Sequence, residues 1–332
     1  MSKVFLTGAS GFLGGHVLAE LKGAGCDVRA LSRRPESDDA IRAQGATPVR
    51  GELTNPADLL SAVDGCEAVF HVAADTSMWR PEAARQTAAN VEGTANLLKA
   101  AGAAGVSAFL HTSSVAAYSH LVSGVLDESV PQRGSESWIN YERTKYQSEL
   151  LVRQSRLPWV VFQPSHILGP GDRHNWARLI MLVDREKLPG IPPGIGSFAD
   201  VREIARAQVG AWRRQRFGEA YVLGGEQASF ADLVHRVGRA LDKRTPSRAM
   251  PAWLLMMVAR AADAWSRVSG KEPDLTPEAA ALTCHVLRVD STKAKRELDY
   301  QETPLDALLA ETLSWMRQEG LLGKVTAPRG RS

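Results

Sequence analysis

Lys3-Val-Phe-Leu-Thr-Gly-Ala-Ser-Gly-Phe-Leu-Gly-Gly15 is the stretch whose reading decides the fold. A short β-rich run, Val4–Thr7, leads directly into Gly8, Gly11 and Gly14, spaced G-x-x-G-x-x-G, and these lead into the helical run Gly15-His-Val-Leu-Ala-Glu-Leu21. Glycines between a strand and a helix let the chain turn tightly, let backbone N–H groups approach a pyrophosphate, and let helix and strand pack closely. The helix N-terminus adds positive dipole toward the phosphates. A structural turn is the bland alternative for three glycines alone; the strand before and the helix after make the stretch a dinucleotide cradle.

Outward from that loop, β-rich runs at Val4–Thr7, Val28–Ser32, Thr47–Arg50, Ala68–Val72, Ala108–Thr112 and Trp159–Gln163 alternate with helical segments near 14–23, 57–63, 82–104 and 140–155. Such alternation predicts an α/β fold, a Rossmann-type doubly wound parallel sheet. After Pro164 the pattern loosens, with turns at Gly169-Pro-Gly-Asp172 and Leu188-Pro-Gly-Ile-Pro-Pro-Gly-Ile-Gly196, and later helices read near Phe230–Leu241, Ala252–Ser269 and Leu305–Glu319. The expected organisation is a dinucleotide-binding domain over 1–165, with further sheet elements from about 200–225. A smaller, mainly helical C-terminal substrate lobe follows over 166–325, and then a frayed basic tail, of which 326–332 is flexible.

Composition narrows the function. The 332 residues carry a net charge of only +3, scattered along the chain, so the partner is a small molecule and not nucleic acid. Cys26, Cys66 and Cys284 are far apart, and neither they nor the eight histidines have metal-ligand spacing, so no metal is expected. The N-terminus lacks a basic region followed by a long apolar one, and a cytoplasmic protein is expected. The apolar run Ala252–Ala259 is far short of the ~20 residues that span a bilayer, so no transmembrane segment is expected. Its segment reads as a buried helix covering the substrate pocket; the alternative is a helix lying on a membrane through Trp253, Leu254, Met257 and Trp265.

Chemistry concentrates in the middle of the first half. Tyr141-Glu-Arg-Thr-Lys145 lies in a helical stretch, so the i, i+4 spacing puts phenol and ammonium on one face. A nearby cation lowers a phenol's pKa toward working pH, as a general acid/base requires. The strand ending in His111-Thr-Ser-Ser114 places hydroxyls at the cofactor crevice, where one of them can orient and polarise a carbonyl. Asn90, in the preceding helix, is placed to hold a water that relays protons to Lys145. At the end of the second strand stand Ser32-Arg33-Arg34 and no carboxylate, which favours NADP(H) over NAD(H), because Arg pairs with a 2′-phosphate.

With these residues quoted, the chain resembles an extended short-chain dehydrogenase/reductase of the NAD-dependent epimerase/dehydratase superfamily, and in particular bacterial proteins similar to dihydroflavonol 4-reductase. The resemblance runs through Thr7-Gly-Ala-Ser-Gly-Phe-Leu-Gly14, Gly51-Glu-Leu-Thr54, His71-Val-Ala-Ala74, Asn90-Val-Glu-Gly-Thr94, Thr112-Ser-Ser114, Tyr141/Lys145, Pro164–Asp172, Asp290–Lys295 and Trp315. It implies that Ser114 orients the carbonyl, with Ser113 as fallback, that Tyr141 donates the proton in reduction, and that Lys145 binds ribose and acts as the electrostatic partner of Tyr141. It implies cofactor contacts from Gly8, Ser10, Gly11, Phe12, Leu13, Gly14, Arg33, Arg34, Glu52, Leu53, Ala73, Thr112, Tyr141, Lys145, Pro164 and Ile167. A homodimer paired through the helices of Asn90 and Tyr141 is also implied.

The chain departs from the resemblance at three places. Glu52 stands where Asp is usual; Gln163 replaces an Arg; and Gly196 occupies the place of the Arg that similar sugar-nucleotide enzymes use to hold a diphosphate. Ser113-Ser114 stands where dehydratases carry an acidic pair. Met78, Trp79, Val115, Trp138, Ile167 and Trp176, with His166 as a polar handle, are the expected pocket residues, suited to an apolar or aromatic carbonyl. The expected activity is therefore NADPH-dependent reduction of such a ketone or aldehyde to an alcohol. The alternatives are a sugar-nucleotide or hopanoid-associated sugar epimerase and a non-catalytic dinucleotide-binding regulatory protein.

Overall fold

A computed structural model describes residues 1–323; the expected tail, 326–332, lies outside the described residues. The first half alternates strands and helices as β1 (Lys3–Thr7), α1 (Phe12–Gly23), β2 (Asp27–Ser32), α2 (Pro35–Ala43), β3 (Thr47–Arg50), α3 (Pro56–Val63) and β4 (Ala68–His71). It continues with α4 (Ala83–Thr87), α5 (Gly93–Ala103), β5 (Ala108–Thr112), β6 (Val125–Leu126), α6 (Asn140–Arg153) and β7 (Trp159–Pro164). The second half contains β8 (His166–Leu168), α7 (Trp176–Asp184), β9 (Ile195–Asp200), α8 (Val201–Arg213), β10 (Glu219–Leu223), β11 (Glu226–Ser229), α9 (Phe230–Leu241) and α10 (Ala252–Ser269). It ends with α11 (Pro277–Cys284), β12 (Arg288–Val289), α12 (Thr292–Leu298) and α13 (Leu305–Gln318).

Seven strands form one sheet in the order β10-β7-β5-β4-β1-β2-β3, and every neighbouring pair is parallel. The sheet is the expected doubly wound one. Parallel strands covered on both faces bury every position, and β4 and β5 are buried throughout. Alternate residues feed two cores. Val4, Leu6 and Phe70 pack under α1 and α8, whereas Phe5, Val69 and Phe109 pack under α3 and α5. Strand order reverses between β1 and β4, and in such sheets the carboxyl ends flanking that point form the ligand crevice.

Several expectations are corrected. Helix α2 was not read from the sequence, although Pro35 in its first turn, acidic Glu36 and Asp38, and Gly45 after it carry the signal. The expected continuous helix 82–104 is interrupted by a π turn over Ala88–Glu92, centred on buried Asn90. The loosened region after Pro164 contains a second sheet, β11-β9-β8, and a two-stranded pair, β12-β6. Short strands interleaved with glycine and proline turns have too little periodicity to be read.

Helix α10 differs most from expectation. Only Leu255, Ala259, Asp263 and Ser266 are buried, and Trp253, Met257, Val258, Trp265 and Val268 stand in solvent. It is therefore not a buried helix, and its inner face alone contacts α11. No helix among the described residues is long and apolar enough to cross a membrane.

Candidate active site

The glycine loop closes on itself. Gly11 donates to the Gly8 carbonyl at 2.9 Å, and Gly15 donates to the Gly11 carbonyl at 2.9 Å. Gly8 has φ +80°, and a Cβ there would stand 2.8 Å from the Ala73 nitrogen. At Gly14 a Cβ would lie 1.9 Å from the Gly8 carbonyl oxygen. Both positions need glycine, one for its backbone conformation and contact, the other for contact alone. Glycine at these positions lets the loop lie close against Ala73 and lead directly into the N-terminus of α1, whose free backbone N–H groups are the donors a dinucleotide's pyrophosphate takes, so these residues fit such a group. Ser10 is exposed at its rim, Phe12 packs edge-on against His16, and Leu13 is buried.

Beyond the loop, Arg33 and Arg34 are exposed at the end of β2, and no carboxylate pairs with either among the described residues. Glu52 is also exposed; its backbone N–H donates to Asp58 at 3.1 Å. Leu53 lies against Gly93 at the start of α5.

A chain of hydrogen bonds runs from this cradle to the helix of Tyr141. The Thr7 hydroxyl oxygen accepts from the Val72 and Ala73 N–H groups at 3.2 and 3.1 Å, which leaves its proton for His71 Nδ1 at 2.8 Å. His71 must then carry its own proton on Nε2 and donate it to Thr94 Oγ1 at 2.9 Å, while Thr94 donates to the Asn90 carbonyl at 2.7 Å. The Asn90 side-chain amide donates to the Asp75 carbonyl at 2.9 Å and to Thr144 Oγ1 at 3.1 Å. Its oxygen accepts from the Asp75 N–H at 2.7 Å, and Thr144 in turn donates to the Tyr141 carbonyl at 2.9 Å. Burial, reinforced by the Lys145 charge, pushes His71 down to about 3, in keeping with a neutral ring.

Asn90, expected to hold a water, commits both protons of its side-chain amide to protein acceptors. The π turn explains the geometry, because its extra residue turns Asn90 toward both the segment after β4 and α6.

Lys145 is buried on α6, and its Nζ donates to the Thr112 carbonyl at 3.0 Å. Burial pushes it down to about 8, with the Glu149 carboxylate pulling upward. Tyr141 departs from expectation. Burial pushes its phenol up to about 12, opposed by the Ser114 hydroxyl and not by Lys145, whose ammonium is engaged with the Thr112 carbonyl.

The two serines after β5 are distinguished by their partners. Ser113 is buried and donates to Glu149 Oε2 at 2.6 Å; Ser114 is only partly buried, accepts from the Ala116 N–H at 3.1 Å, and adjoins Tyr141. Glu149 also accepts from Gln132 at 2.7 Å, Arg153 at 2.8 Å and Gln163 at 2.8 Å. Gln163 thereby acquires a structural account, since the positive charge facing this buried carboxylate comes from Arg153. Thr112 Oγ1 is within 3.1 Å of the Gln208 amide nitrogen on α8.

A cavity of about 230 Å³ opens beside Tyr141, lined by Met78, Trp79, Arg80, Trp138, Asn140 and Glu278 among others. Three expected pocket residues, Met78, Trp79 and Trp138, meet there. Arg80 and Glu278 were not anticipated; they form an ion pair, and the Arg80 guanidinium lies 5.4 Å from the Trp138 ring centroid. They are 198 residues apart, and no local pattern brings them together.

The remaining pocket expectations are corrected. Val115 packs toward Tyr118 and Leu126, and Ile167 packs on the core beneath α1 and α8. His166 and Trp176 belong to an aromatic cluster with Phe198 and Phe230 in the second lobe. Burial, with His285 acting in the same direction, pushes His166 down to about 4. That cluster also explains Gly196, where a Cβ would stand 2.6 Å from His166 Cδ2. A larger cavity, about 440 Å³, lies among Ser2, Cys26, Glu67, Trp212 and Arg213 at the amino ends of the strands, away from every residue above.

Residues 4–224 match the NAD dependent epimerase/dehydratase family. The chain belongs to that family. Membership places it among dinucleotide-dependent enzymes of oxidoreduction or epimerisation. A dihydroflavonol 4-reductase-like protein of Synechocystis is 28% identical over 326 residues, 95% of each chain. A farnesyl-dihydroquinoline-oxide ketoreductase of Stigmatella aurantiaca is 34% identical over 230 residues, covering 67% of each. The crystal structure of gox2253 superposes with a TM-score of 0.82 at 32% identity, over 97% of this chain and 100% of that one. This family member thus shares its fold with gox2253 along nearly its whole length.

Two expectations can be measured. Gly14→Ala forces the loop apart at the Gly8 carbonyl, and overpacking of about 1–3 kcal/mol weakens dinucleotide binding roughly ten- to hundredfold, as read by calorimetry. His71 is held neutral in the fold and binds a proton in the unfolded chain below 6.5, so its contribution to stability is complete above that pH. It is lost progressively as pH falls from 6.5 toward about 3, with a slope of up to about 1.4 kcal/mol per pH unit. Urea unfolding should show a shallower acid limb in His71→Gln.

Proposed function

We propose that this chain is an NADP(H)-dependent reductase that converts an apolar or aromatic ketone or aldehyde to the alcohol. The observation that carries the reading is the cavity in which Met78, Trp79 and Trp138 meet the Tyr141 side of α6. An aromatic wall, bordered by the Arg80–Glu278 pair and set next to a phenol and a partly exposed serine hydroxyl, suits a carbonyl compound with an apolar or aromatic body. The nicotinamide, when bound, supplies the hydride.

This chain's residues supply the rest. Ser114 donates to the substrate carbonyl oxygen and orients it. Tyr141, held protonated at neutral pH by burial, gives its phenolic proton to that oxygen as charge develops there. The resulting phenolate is reprotonated from solvent by way of Lys145, whose lowered pKa suits proton exchange near neutrality. Asn90 acts on Tyr141 as a positioning residue, through Thr144.

The guanidinium groups of Arg33 and Arg34, which have no carboxylate partner among the described residues, support a 2′-phosphate, and with it NADP(H) over NAD(H). Gly196, closed off by His166 and Phe198, leaves no room for the Arg that holds a diphosphate in similar sugar-nucleotide enzymes, and this weighs against epimerisation of such substrates.

Tyr141→Phe should cut NADPH consumption with a reactive aromatic ketone by about 10²–10⁴-fold while leaving NADPH affinity intact. Unchanged turnover removes Tyr141 from the mechanism, and turnover confined to nucleotide sugars in a substrate panel rejects the reductase assignment. Arg33→Ala/Arg34→Ala should raise the KM for NADPH roughly ten- to hundredfold, the loss of charge-assisted hydrogen bonds of about 1.5–3 kcal/mol, and leave that for NADH unchanged. A wild-type preference for NADH overturns the cofactor assignment.

A further inference from the structure

We propose that the outer face of α10 docks onto the surface of an anionic lipid bilayer. With each helical residue turning by ~100°, Trp253, Met257, Ala261, Ala264, Trp265 and Val268 fall on one stripe. All six are exposed, with Trp253 65% and Trp265 69% accessible. Leu255, Ala259, Asp263 and Ser266, the buried residues of α10, lie on the opposite side. The helix therefore presents apolar surface to solvent where a helix at the edge of a globular protein ordinarily presents charge.

The charges carried by this helix and the segments flanking it in the chain indicate what covers it. From Lys243 to Lys271 the chain carries Lys243, Arg244, Arg248, Arg260, Arg267 and Lys271 against one carboxylate, Asp263, which is turned inward and paired with Arg267 at 3.0 Å. Exposed Asp242 precedes this run, Glu272 and Asp274 follow it, and Asp274 is paired with Arg178 at 2.7 Å. Arg244, Arg248, Arg260 and Lys271 are exposed and have no ion-pair partner among the described residues.

A two-fold contact between two copies of this face would set these cations against one another, so a second copy is disfavoured. Anionic headgroups complement them, at about 1 kcal/mol per Lys or Arg near the surface, while the indoles and aliphatic groups enter the headgroup boundary. Eighteen residues arranged in this way lie in the interface and do not span it.

The helix that carries this face borders the site on its other side. On the inner side of α10, Ser266 Oγ accepts from the Trp79 indole N–H at 3.4 Å, and Glu278 of α11, which packs on α10, is paired with Arg80. Trp79, Arg80 and Glu278 all line the cavity beside Tyr141. Docking thus sets the cavity wall one helix away from the bilayer. Resting on the reduction proposed above, the substrate class becomes carbonyl compounds that partition into lipid.

The docking itself is tested without turnover, so its failure and that of the reductase assignment are separable. The full chain is sedimented with vesicles of three parts phosphatidylcholine to one part phosphatidylglycerol, and with phosphatidylcholine alone. Binding to the anionic vesicles, weakened by salt and accompanied by a blue shift of tryptophan emission, is expected. Trp253→Ser/Trp265→Ser and, separately, Arg248→Glu/Arg260→Glu should each lower partitioning roughly tenfold or more. Their circular dichroism and dinucleotide affinity should match the parent, because all four side chains are exposed and none belongs to the glycine loop or the strand ends around it. Absence of binding at millimolar lipid, or undiminished binding of the tryptophan variant, overturns the proposal. So does a concentration-dependent dimer that the tryptophan variant abolishes, since the face would then belong to a second copy.

Discussion

The hydroxyl of Thr7 closes the crevice at the carboxyl ends of β1 and β4, the point where strand order reverses. It accepts two backbone N–H groups from the segment after β4 and gives its single proton to His71. That donation dictates the tautomer of His71, the tautomer dictates donation to Thr94, and Thr94 is thereby directed to the Asn90 carbonyl. The second branch, from the Asn90 amide through Thr144 to the Tyr141 carbonyl, ties the same crevice to α6. Each member is buried or nearly so, and an unpaired member would cost about 1–3 kcal/mol, so the arrangement is specified as a whole. The phosphate cradle and the phenol are therefore positioned by one connected network.

Two buried carboxylates perform a related task on the other side of Tyr141. Glu149 collects Ser113, Gln132, Arg153 and Gln163, which leaves Ser114 as the hydroxyl that reaches the crevice. Glu142, immediately after Tyr141, accepts from the His120 N–H and its ring, and from Ser119, whose φ of 74° is otherwise unfavourable for a serine. Burial pushes the Glu142 carboxyl up, but hydrogen bonds from His120, Ser119 and Ser137 outweigh it and the net displacement is downward. Charges placed so deep are tolerated because every oxygen has a donor.

Much of this was legible before any coordinates. The six strands expected in the first half lie within one residue of their expected ends, and α9 and α10 begin and end where expected, because strand alternation and helical periodicity are local signals. The phosphate loop was equally legible, since a glycine required by a 1.9 Å approach cannot be replaced by another residue. Met78, Trp79 and Trp138 were anticipated at the pocket; Arg80 and Glu278 were not, because their pairing spans 198 residues. His166 and Trp176 carried no local signal separating a pocket wall from the aromatic core they join with Phe198 and Phe230.

By itself the sequence determined the parallel sheet, the glycine loop and the placing of Tyr141 and Lys145 one turn apart on a helix, all properties of spacing along the chain. Tertiary structure decided which serine is accessible, that the Asn90 amide is tied to α6, that burial raises the Tyr141 phenol, and which side of α10 faces outward. The physical reason is the same in each case. Periodicity and spacing are set by neighbours in sequence, whereas proton donation, desolvation and exposure are set by whichever groups from distant segments share the same few ångströms.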